Sequence, residues 1–202
     1  MSELHLTLHK DKAKSKSKLD TFTSINCDCS RPCAFKDKCY ALRDLKIYHN
    51  AKDCYHRNEE IILSENYEIP IIPTFFARFF SYGDLNTLSH IKMIKDICES
   101  NPRVTFGIWL RSDMLADLKN EMEDVNYPNL TKVLSVKKYN HIPYDNDCLG
   151  YDSSFTVYTD KHLMEKDLKD GLIDIICKGK CKNCLSCYTK HDRCLKVGEL
   201  IK

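Results

Sequence analysis

The sequence lacks the long apolar runs and the motifs that mark several large protein classes. Its 202 residues contain no stretch of about 18 apolar residues, so no membrane-spanning helix is predicted. Residues 1–20 are polar and rich in lysine, without the apolar centre of a secretory signal peptide. P-loop, dinucleotide-binding, nucleophile-elbow and HExxH motifs are also missing. We therefore expect a cytoplasmic protein that does not associate with a membrane.

The sequence also has little net charge. A formal charge of +2 indicates no class of partner for the chain as a whole. A basic run at residues 10–18 is compatible with nucleic acid or another anion, although a solvated, flexible leader explains it better. We divide the chain into a basic leader, residues 1–24, and a single α/β domain, residues 25–202. With 43% hydrophobic residues, that domain can bury a core without disulfides.

Cysteine, in contrast, is abundant and unevenly placed. Of the twelve cysteines, four form an N-terminal group and five lie in a C-terminal segment, residues 177–194. The N-terminal group is Cys27, Cys29, Cys33 and Cys39, and the C-terminal group is Cys177, Cys181, Cys184, Cys187 and Cys194. In a reducing compartment, clustered cysteines are more readily metal ligands than disulfides. The sequence therefore predicts a metal-binding protein.

Between the two groups, strand-like and helix-like segments alternate. Strands are predicted at residues 74–80, 104–110, 132–136 and 154–159, with a fifth near Cys27 or Ile173. Helices are predicted at residues 44–63, at 88–98, after a cap at Ser112 or Asp113, and from Asp160 to Gly171. This alternation is typical of βαβ units and a parallel sheet. Right-handed crossovers would curl the sheet into a partial (β/α) barrel with cysteine-rich metal-binding segments at both ends.

The C-terminal run CKGKCKNCLSCY carries the strongest local signal. Its four cysteines, Cys177, Cys181, Cys184 and Cys187, are separated by three, two and two residues. A tight loop with cysteines at every third position can turn several thiolates toward one cluster, as in bacterial ferredoxins. Zinc is the alternative metal, but structural zinc sites usually draw two close pairs from separate turns. The run favours an iron–sulfur cluster, with Cys194 either a spare ligand or a plain thiol.

The N-terminal run CDCSRPCAFKDKCYA resembles the cluster loop of radical S-adenosylmethionine enzymes. Cys29, Cys33 and Cys39 are separated by three and five residues, and Cys39 is followed by Tyr40 and Ala41. In those enzymes three cysteines, usually spaced by three and then two residues, follow the first strand and hold a 4Fe–4S cluster. The resemblance implies that S-adenosylmethionine binds the iron that the cysteines leave open.

A second resemblance covers residues 25–190. The chain is similar to the phage gene product 88 family, for which no activity is established. The matching features are Cys33 to Ala41, Asn58, residues 78–84 (RFFSYGD), the strands of Trp109 and Ser135, and the cysteine-rich tail. This resemblance places the protein in the cytoplasm of a bacterium or of a phage-infected host cell.

The radical-enzyme resemblance also assigns a role to the turn after the second predicted strand. A glycine-rich acidic turn there usually binds the methionine amino group, and Gly83 and Asp84 occupy that position. Glycine allows close approach, and an aspartate accepts from an ammonium group. Arg78, in the preceding apolar strand, requires a carboxylate or an anion as its partner. A simple chain reversal is the alternative explanation for Gly83 and Asp84.

Two hypotheses about function follow. In the first, the protein is an enzyme that resembles radical S-adenosylmethionine proteins. Cys29, Cys33 and Cys39 hold the reactive cluster, the tail holds an auxiliary cluster, and an electron donor is a partner. In the second hypothesis, the protein is a non-catalytic binding protein that contacts nucleic acid. One or two clusters or zinc ions attach its termini to the barrel. Recruitment of Cys27 as a fourth N-terminal ligand would favour the second hypothesis.

Overall fold

The computed structural model describes residues 1–9, 22–29, 33, 35–179 and 181–201. The basic run at residues 10–18 lies outside the described residues. The predicted leader contributes strands at its two described ends. None of the described helices is both long enough and apolar enough to cross a membrane.

The described residues form ten strands and six α-helices. The strands are β1 (Ser2–Glu3), β2 (Leu6–His9), β3 (Phe22–Ile25), β4 (Tyr67–Glu68), β5 (Phe76–Phe79), β6 (Thr105–Arg111), β7 (Leu130–Ser135), β8 (Ser153–Tyr158), β9 (Ile175–Ile176) and β10 (Leu195–Leu200). The helices are α1 (Tyr40–Ile47), α2 (His49–Ser64), α3 (Leu88–Ser100), α4 (Ala116–Glu123), α5 (Lys161–Lys169) and α6 (Cys181–Cys184).

Eight strands belong to one mostly parallel sheet with helices in the connections. Its strand order is β2-β3-β5-β6-β7-β8-β10-β9, and β1 and β4 form a separate parallel pair. Only the β2–β3 pair is antiparallel among the pairings that are defined by register. The predicted α/β fold with parallel strands is therefore confirmed.

The chain divides into two compact units. The first comprises the described residues of 1–32, 39–108 and 114–130. Its core lies around β3, β5 and the first half of β6, where Ile25 pairs with Phe79 and Phe79 with Ile108. The Phe79 and Phe106 rings stack at 5.1 Å, and Ile94 of α3 is fully buried. These apolar side chains fix the position of the loops that follow β3 and β5.

The second unit comprises the described residues of 33–38, 109–113 and 131–202. β10 pairs in parallel with β8 over six residues, and its other edge pairs with β9. Asp160 caps α5 by accepting from the backbone N–H groups of His162 and Leu163, as predicted. Tyr158 is fully buried and donates to Asp167 of α5 at 2.8 Å. This bond attaches α5 to β8.

Two details differ from the sequence-based expectations. The predicted helix at residues 44–63 is two helices, because the backbone of Tyr48 leaves the helical conformation between them. The predicted cap of α4 at Ser112 or Asp113 is wrong, because the residue before α4 is Leu115 and no side chain caps it. Asp113 instead accepts from Arg111, which removes its carboxylate from the helix end.

Candidate metal centre

The N-terminal cysteine loop begins at the carboxyl end of β3, beside the turn that follows β5. Since β3 and β5 are parallel neighbours, their carboxyl ends lie at the same edge of the sheet. The N–H of Cys27 donates to the carbonyl oxygen of Tyr82 at 3.3 Å, and the N–H of Phe80 donates to that of Ile25 at 2.8 Å. The structure thus brings together two segments that the sequence analysis assigned to one site.

Gly83 packs directly on Cys27. Its φ of +106° is unfavourable for other residues, and a Cβ atom at this position would lie 2.6 Å from both the carbonyl oxygen and the Sγ of Cys27. The next residue, Asp84, is buried, and its Oδ1 accepts from the N–H of Leu85 at 2.9 Å. Its carbonyl oxygen accepts from the Cys27 thiol at 3.6 Å. The turn therefore forms one wall of the Cys27 site.

Two buried asparagines hold this arrangement in place. The amide nitrogen of Asn58 donates to the carbonyl oxygens of Asn26 at 2.8 Å and His5 at 3.0 Å. Its amide oxygen accepts from the N–H of His5 at 2.8 Å. The side-chain oxygen of Asn26 accepts in turn from the N–H of Tyr82 at 3.0 Å. Helix α2, the cysteine loop and the turn after β5 are thus connected by hydrogen bonds.

Cys29 and Cys39 lie near the ring of Tyr82. Burial raises the pKa of the Tyr82 phenol, and the negative charges of Cys29, Asp28 and Cys39 raise it further. Cys29 is exposed and Cys39 is half-buried at the start of α1. The Tyr82 ring also stacks on Tyr55 at 5.3 Å. Two of the three predicted cluster ligands therefore lie near one aromatic side chain.

Cys33, the remaining predicted ligand of that set, belongs to the second unit. It is half-buried, and its carbonyl oxygen accepts from the N–H of Lys36 at 3.2 Å. Burial raises the pKa of Tyr139, and the negative charge of Cys33 adds to this shift. Phe35 contacts Tyr139 edge to face at 4.7 Å. Cys33 is thus positioned beside Tyr139 within its own unit.

Cys27 lies with Glu59 of α2 and His90 of α3 rather than in an open loop. Their ligand-type atoms are all within 4.8 Å of one another. Burial, followed by the charge of Glu59, raises the pKa of the Cys27 thiol well above its usual value. Burial also acts to raise the pKa of Glu59, but hydrogen bonds from His90 and Cys27 outweigh it and lower that pKa. Cys27 is therefore a hydrogen-bonded thiol at neutral pH.

The four-cysteine tail follows β9. The N–H of Cys177 donates to the carbonyl oxygen of Gly198 at 2.7 Å, and α6 spans Cys181 to Cys184. Burial raises the pKa of Cys177, and the charges of Cys181 and Cys184 contribute to the same shift. Cys181 and Cys184 therefore lie close enough to Cys177 to influence its pKa.

Cys187 is held at the amino end of β7. Its carbonyl oxygen accepts a hydrogen bond from the hydroxyl of Thr131 at 2.9 Å, and Cys187 itself is half-buried. The adjacent Tyr188 is buried and contacts Trp109 at 5.7 Å. The aromatic contact anchors the tail to β6 through the part of that strand that belongs to the second unit.

Cys194, which the sequence analysis left as a spare ligand or a plain thiol, lies beside Cys148. The Cys194 thiol donates a hydrogen bond to Cys148, which lowers the pKa of Cys148 to about 7. Cys148 is buried at the end of a short 3-10 helix, and Asp145 of that helix pairs with Lys196 at 2.7 Å. The hydroxyl of Ser154 also contributes to the environment of the two thiols.

The turn after β5 carries a further polar group. Neither the side-chain nitrogen nor the side-chain oxygen of Asn86 is accessible to water or has a hydrogen-bond partner among the described residues. A buried amide of this kind is rare and is commonly explained by a ligand or a water. Arg78 of β5, the other predicted cofactor-binding residue of this region, is half-buried.

Comparisons with known proteins identify no relative of this chain. No model of a known family matches it, and neither a curated protein nor a solved structure shows significant similarity. The resemblances to the gene product 88 family and to radical S-adenosylmethionine proteins therefore stay predictions.

Sequence reasoning missed Glu59 and His90. Glu59 lies in a run of charged and polar residues on α2, and His90 lies near the start of the amphipathic helix α3. Neither is at a metal-binding spacing from a cysteine or from the other. The sequence offered one indication of this site. His90 lies at a position of α3 that the helical spacing of the apolar residues predicts to face the core.

Proposed function

We propose that this chain is an iron–sulfur protein whose N-terminal half is organised like that of a radical S-adenosylmethionine enzyme. In this proposal Cys29, Cys33 and Cys39 hold a 4Fe–4S cluster, and Cys177, Cys181, Cys184 and Cys187 hold a second one. The observation that carries it is the contact between the cysteine loop after β3 and the acidic turn after β5, through Cys27 and Gly83.

The sheet supports the same proposal. β3, β5 and β6 pair in parallel, as do β7, β8, β10 and β9, with helices in several of the connections. We propose that this sheet curves into a partial (β/α) barrel. Functional loops of such folds gather at the carboxyl ends of the strands, and the N-terminal cysteine loop follows β3 in this way.

The residues around the loop fit the two groups that the proposal requires. Cys29 and Cys39 offer thiols near Tyr82, and thiolates are the usual ligands of iron–sulfur clusters. The turn after β5 offers the carboxylate of Asp84 and the unsatisfied amide of Asn86. These groups suit the amino and carboxylate groups of S-adenosylmethionine. When bound, a cluster of this kind supplies an electron that cleaves the sulfonium group of the cofactor.

The chain's own residues have defined tasks in this proposal. Gly83 keeps the turn close to the cysteine loop, because any side chain there would collide with Cys27. Asn26 fixes the backbone of Tyr82, and Asn58 fixes that of Asn26. Arg78 and Asp84 would orient the charged end of the cofactor. The substrate would bind above the same edge of the sheet, next to the exposed Cys29 loop.

The direct test is an electron paramagnetic resonance spectrum of the anaerobically reconstituted, dithionite-reduced protein with and without S-adenosylmethionine. We expect the cofactor to change the spectrum and to be cleaved to 5′-deoxyadenosine and methionine. Cys39→Ser should abolish both effects, whereas Cys54→Ser, a half-buried cysteine of α2 outside both groups, should not. If S-adenosylmethionine does not change the spectrum of the cluster, the proposed enzymatic activity is overturned and the cluster has a structural role.

A further inference from the structure

The Cys27 site brings together three different ligand types from three segments. Cys27 follows β3, Glu59 belongs to α2 and His90 belongs to α3. Their Sγ, carboxylate oxygen and imidazole nitrogen atoms all lie within 4.8 Å of one another. The His90 Nε2 atom is 3.1 Å from Glu59 Oε2. Three such atoms can surround one ion after small side-chain adjustments.

The three side chains are shielded from water to different degrees. Cys27 and the His90 side chain have no exposed surface, while the Glu59 side chain is 15% exposed. A buried set of ligands binds an ion without competition from bulk water. The partly exposed Glu59 supplies a route by which the ion enters.

The charges of the set match a divalent ion. A Cys27 thiolate, a Glu59 carboxylate and a neutral His90 together carry a charge of about −2, which a divalent ion balances. Asp84, buried next to Cys27, adds further negative potential, since its charge acts on the Cys27 thiol. Sulfur, imidazole nitrogen and carboxylate oxygen are the three ligand types that Zn²⁺ uses in proteins.

The second layer around His90 suits metal binding. Thr87 Oγ1 lies 2.8 Å from His90 Nδ1, so the threonine hydroxyl fixes the ring with Nε2 directed at Glu59. Metal-binding histidines usually have a hydrogen-bond partner on the second ring nitrogen, which sets the tautomer. On metal binding, His90 would keep its proton on Nδ1 and donate a hydrogen bond to Thr87 Oγ1, while the Cys27 thiol proton would leave to solvent.

We propose that Cys27, Glu59 and His90 form a mononuclear site for a divalent transition-metal ion of the Zn²⁺ class. It is separate from the clusters of the proposed function. Three protein ligands leave a fourth coordination position for a water or another small oxygen ligand, as in catalytic zinc sites. The alternative is a metal-free hydrogen-bonded triad that attaches α2 and α3 to the end of β3.

Zinc-edge X-ray absorption of the full-length chain, loaded with one equivalent of Zn²⁺, tests the proposal. The measurement is made on the metal-depleted protein and again after reconstitution with iron and sulfide, which occupies the cluster cysteines. In the reconstituted protein we expect zinc to be bound by one sulfur atom and otherwise by nitrogen and oxygen atoms. The spectrum should also contain the outer-shell scattering of one imidazole. Zinc held by three or four sulfurs in the reconstituted protein would overturn the proposal.

Variants assign the ligands. His90→Gln should remove the imidazole signal and weaken zinc binding by more than about 100-fold, since even second-layer partners contribute about 10- to 100-fold. Cys27→Ser should remove the sulfur signal. His49→Gln replaces an exposed histidine on the same helix as Glu59, and this matched control should leave the imidazole signal, the sulfur signal and the zinc affinity unchanged. Zinc affinity that is equal in wild type and His90→Gln would contradict the proposal.

A second pair of variants separates a ligand role from a packing role. Thr87→Val removes the hydroxyl that orients His90 and should weaken zinc binding by about 10-fold or more. Thr87→Ser keeps that hydroxyl and should bind as wild type. Because Thr87 also caps α3, the thermal midpoint of each metal-free variant is measured in parallel. Loss of stability without loss of zinc affinity in Thr87→Val would favour the metal-free triad.

Discussion

The side chain of Asn58 donates a hydrogen bond of 2.8 Å to the backbone carbonyl oxygen of Asn26, next to the first cysteine of the N-terminal loop. Asn58 is completely buried, and it also makes two hydrogen bonds to the backbone of His5. One side chain therefore satisfies three backbone groups from two segments, and its bond to Asn26 is fully buried. The geometry of the loop depends on an interaction that lies outside the loop itself.

Replacement of Asn58 by alanine should lower the free energy of unfolding by about 3 kcal/mol, because the buried carbonyl of Asn26 and two backbone groups of His5 would lose their partners. Urea unfolding followed by circular dichroism measures this. Asn50→Ala, an exposed asparagine on the same helix, is the control and should change stability by less than about 0.5 kcal/mol. Equal effects of the two substitutions would contradict the assigned role of Asn58.

Gly83→Ala should destabilise the protein more than Gly150→Ala. Both glycines have positive φ, +106° and +79°, so both substitutions strain the backbone by about 1 kcal/mol or more. Only Gly83 is crowded, because its Cβ would lie 2.6 Å from Cys27, whereas nothing lies within 4 Å of a Cβ at Gly150.

Denaturant midpoints of the two glycine variants give the difference. We expect Gly83→Ala to lose at least about 2 kcal/mol more than Gly150→Ala, since a backbone oxygen cannot move aside as a flexible side chain can. If the two variants are equally stable, the turn after β5 does not pack on Cys27 as described.

The carboxylate of Asp113 should stabilise the protein in a pH-dependent way. Partial burial acts to raise the pKa of Asp113, but hydrogen bonds and charges from Arg111 and Lys137 outweigh it and lower this pKa to about 2. The ordinary value in an unfolded chain is about 3.9. The lowered pKa means that the stabilisation is fully present above about pH 4 and is lost as the pH falls toward 2.

Asp113→Asn tests this dependence. At pH 7 the variant should be less stable than wild type by about 1 kcal/mol, the upper range for a partly exposed ion pair. The difference should shrink between pH 4 and pH 2, as wild-type Asp113 becomes protonated. Thermal melts at several pH values measure it, with Asp117→Asn on the exposed face of α4 as control. A difference that stays constant to pH 2 would argue against the Arg111 and Lys137 contacts.

Much of the fold was predictable because its central elements carry clear local patterns. The strands β5, β6, β7 and β8 are short apolar runs, and α3 shows regular apolar spacing. The fifth strand expected near Cys27 or Ile173 corresponds to two strands, β3 and β9. β10 was missed because Lys196, Gly198 and Glu199 interrupt its apolar pattern, and its stability comes from pairing with β8 and β9 on both edges.

The site was predictable only where ligands are close in the chain. Cysteine spacing indicated the N-terminal loop and the tail, and the turn at Gly83 and Asp84 was expected beside the loop. Glu59 and His90 could not be connected to Cys27, because helix packing rather than sequence spacing brings them together. The pairing of Cys148 with Cys194 was missed for the same reason, since it depends on the alignment of β8 with β10.

The two cysteine groups should hold separate clusters. Serine substitution of Cys29, Cys33 and Cys39 together should remove one cluster and leave the absorption of the other. Serine substitution of Cys181, Cys184 and Cys187 should do the reverse. Parallel loss of all iron in both variants would show instead that the groups share one cluster, and iron content per chain measures the difference.

The contents of iron, acid-labile sulfide and zinc per chain after anaerobic purification decide whether the two cysteine groups hold iron–sulfur clusters. We expect about eight irons with an equal amount of sulfide, the content of two 4Fe–4S clusters. Zinc in place of iron, with no sulfide, would contradict the iron–sulfur claim and identify a chain whose cysteine groups are fastened by zinc.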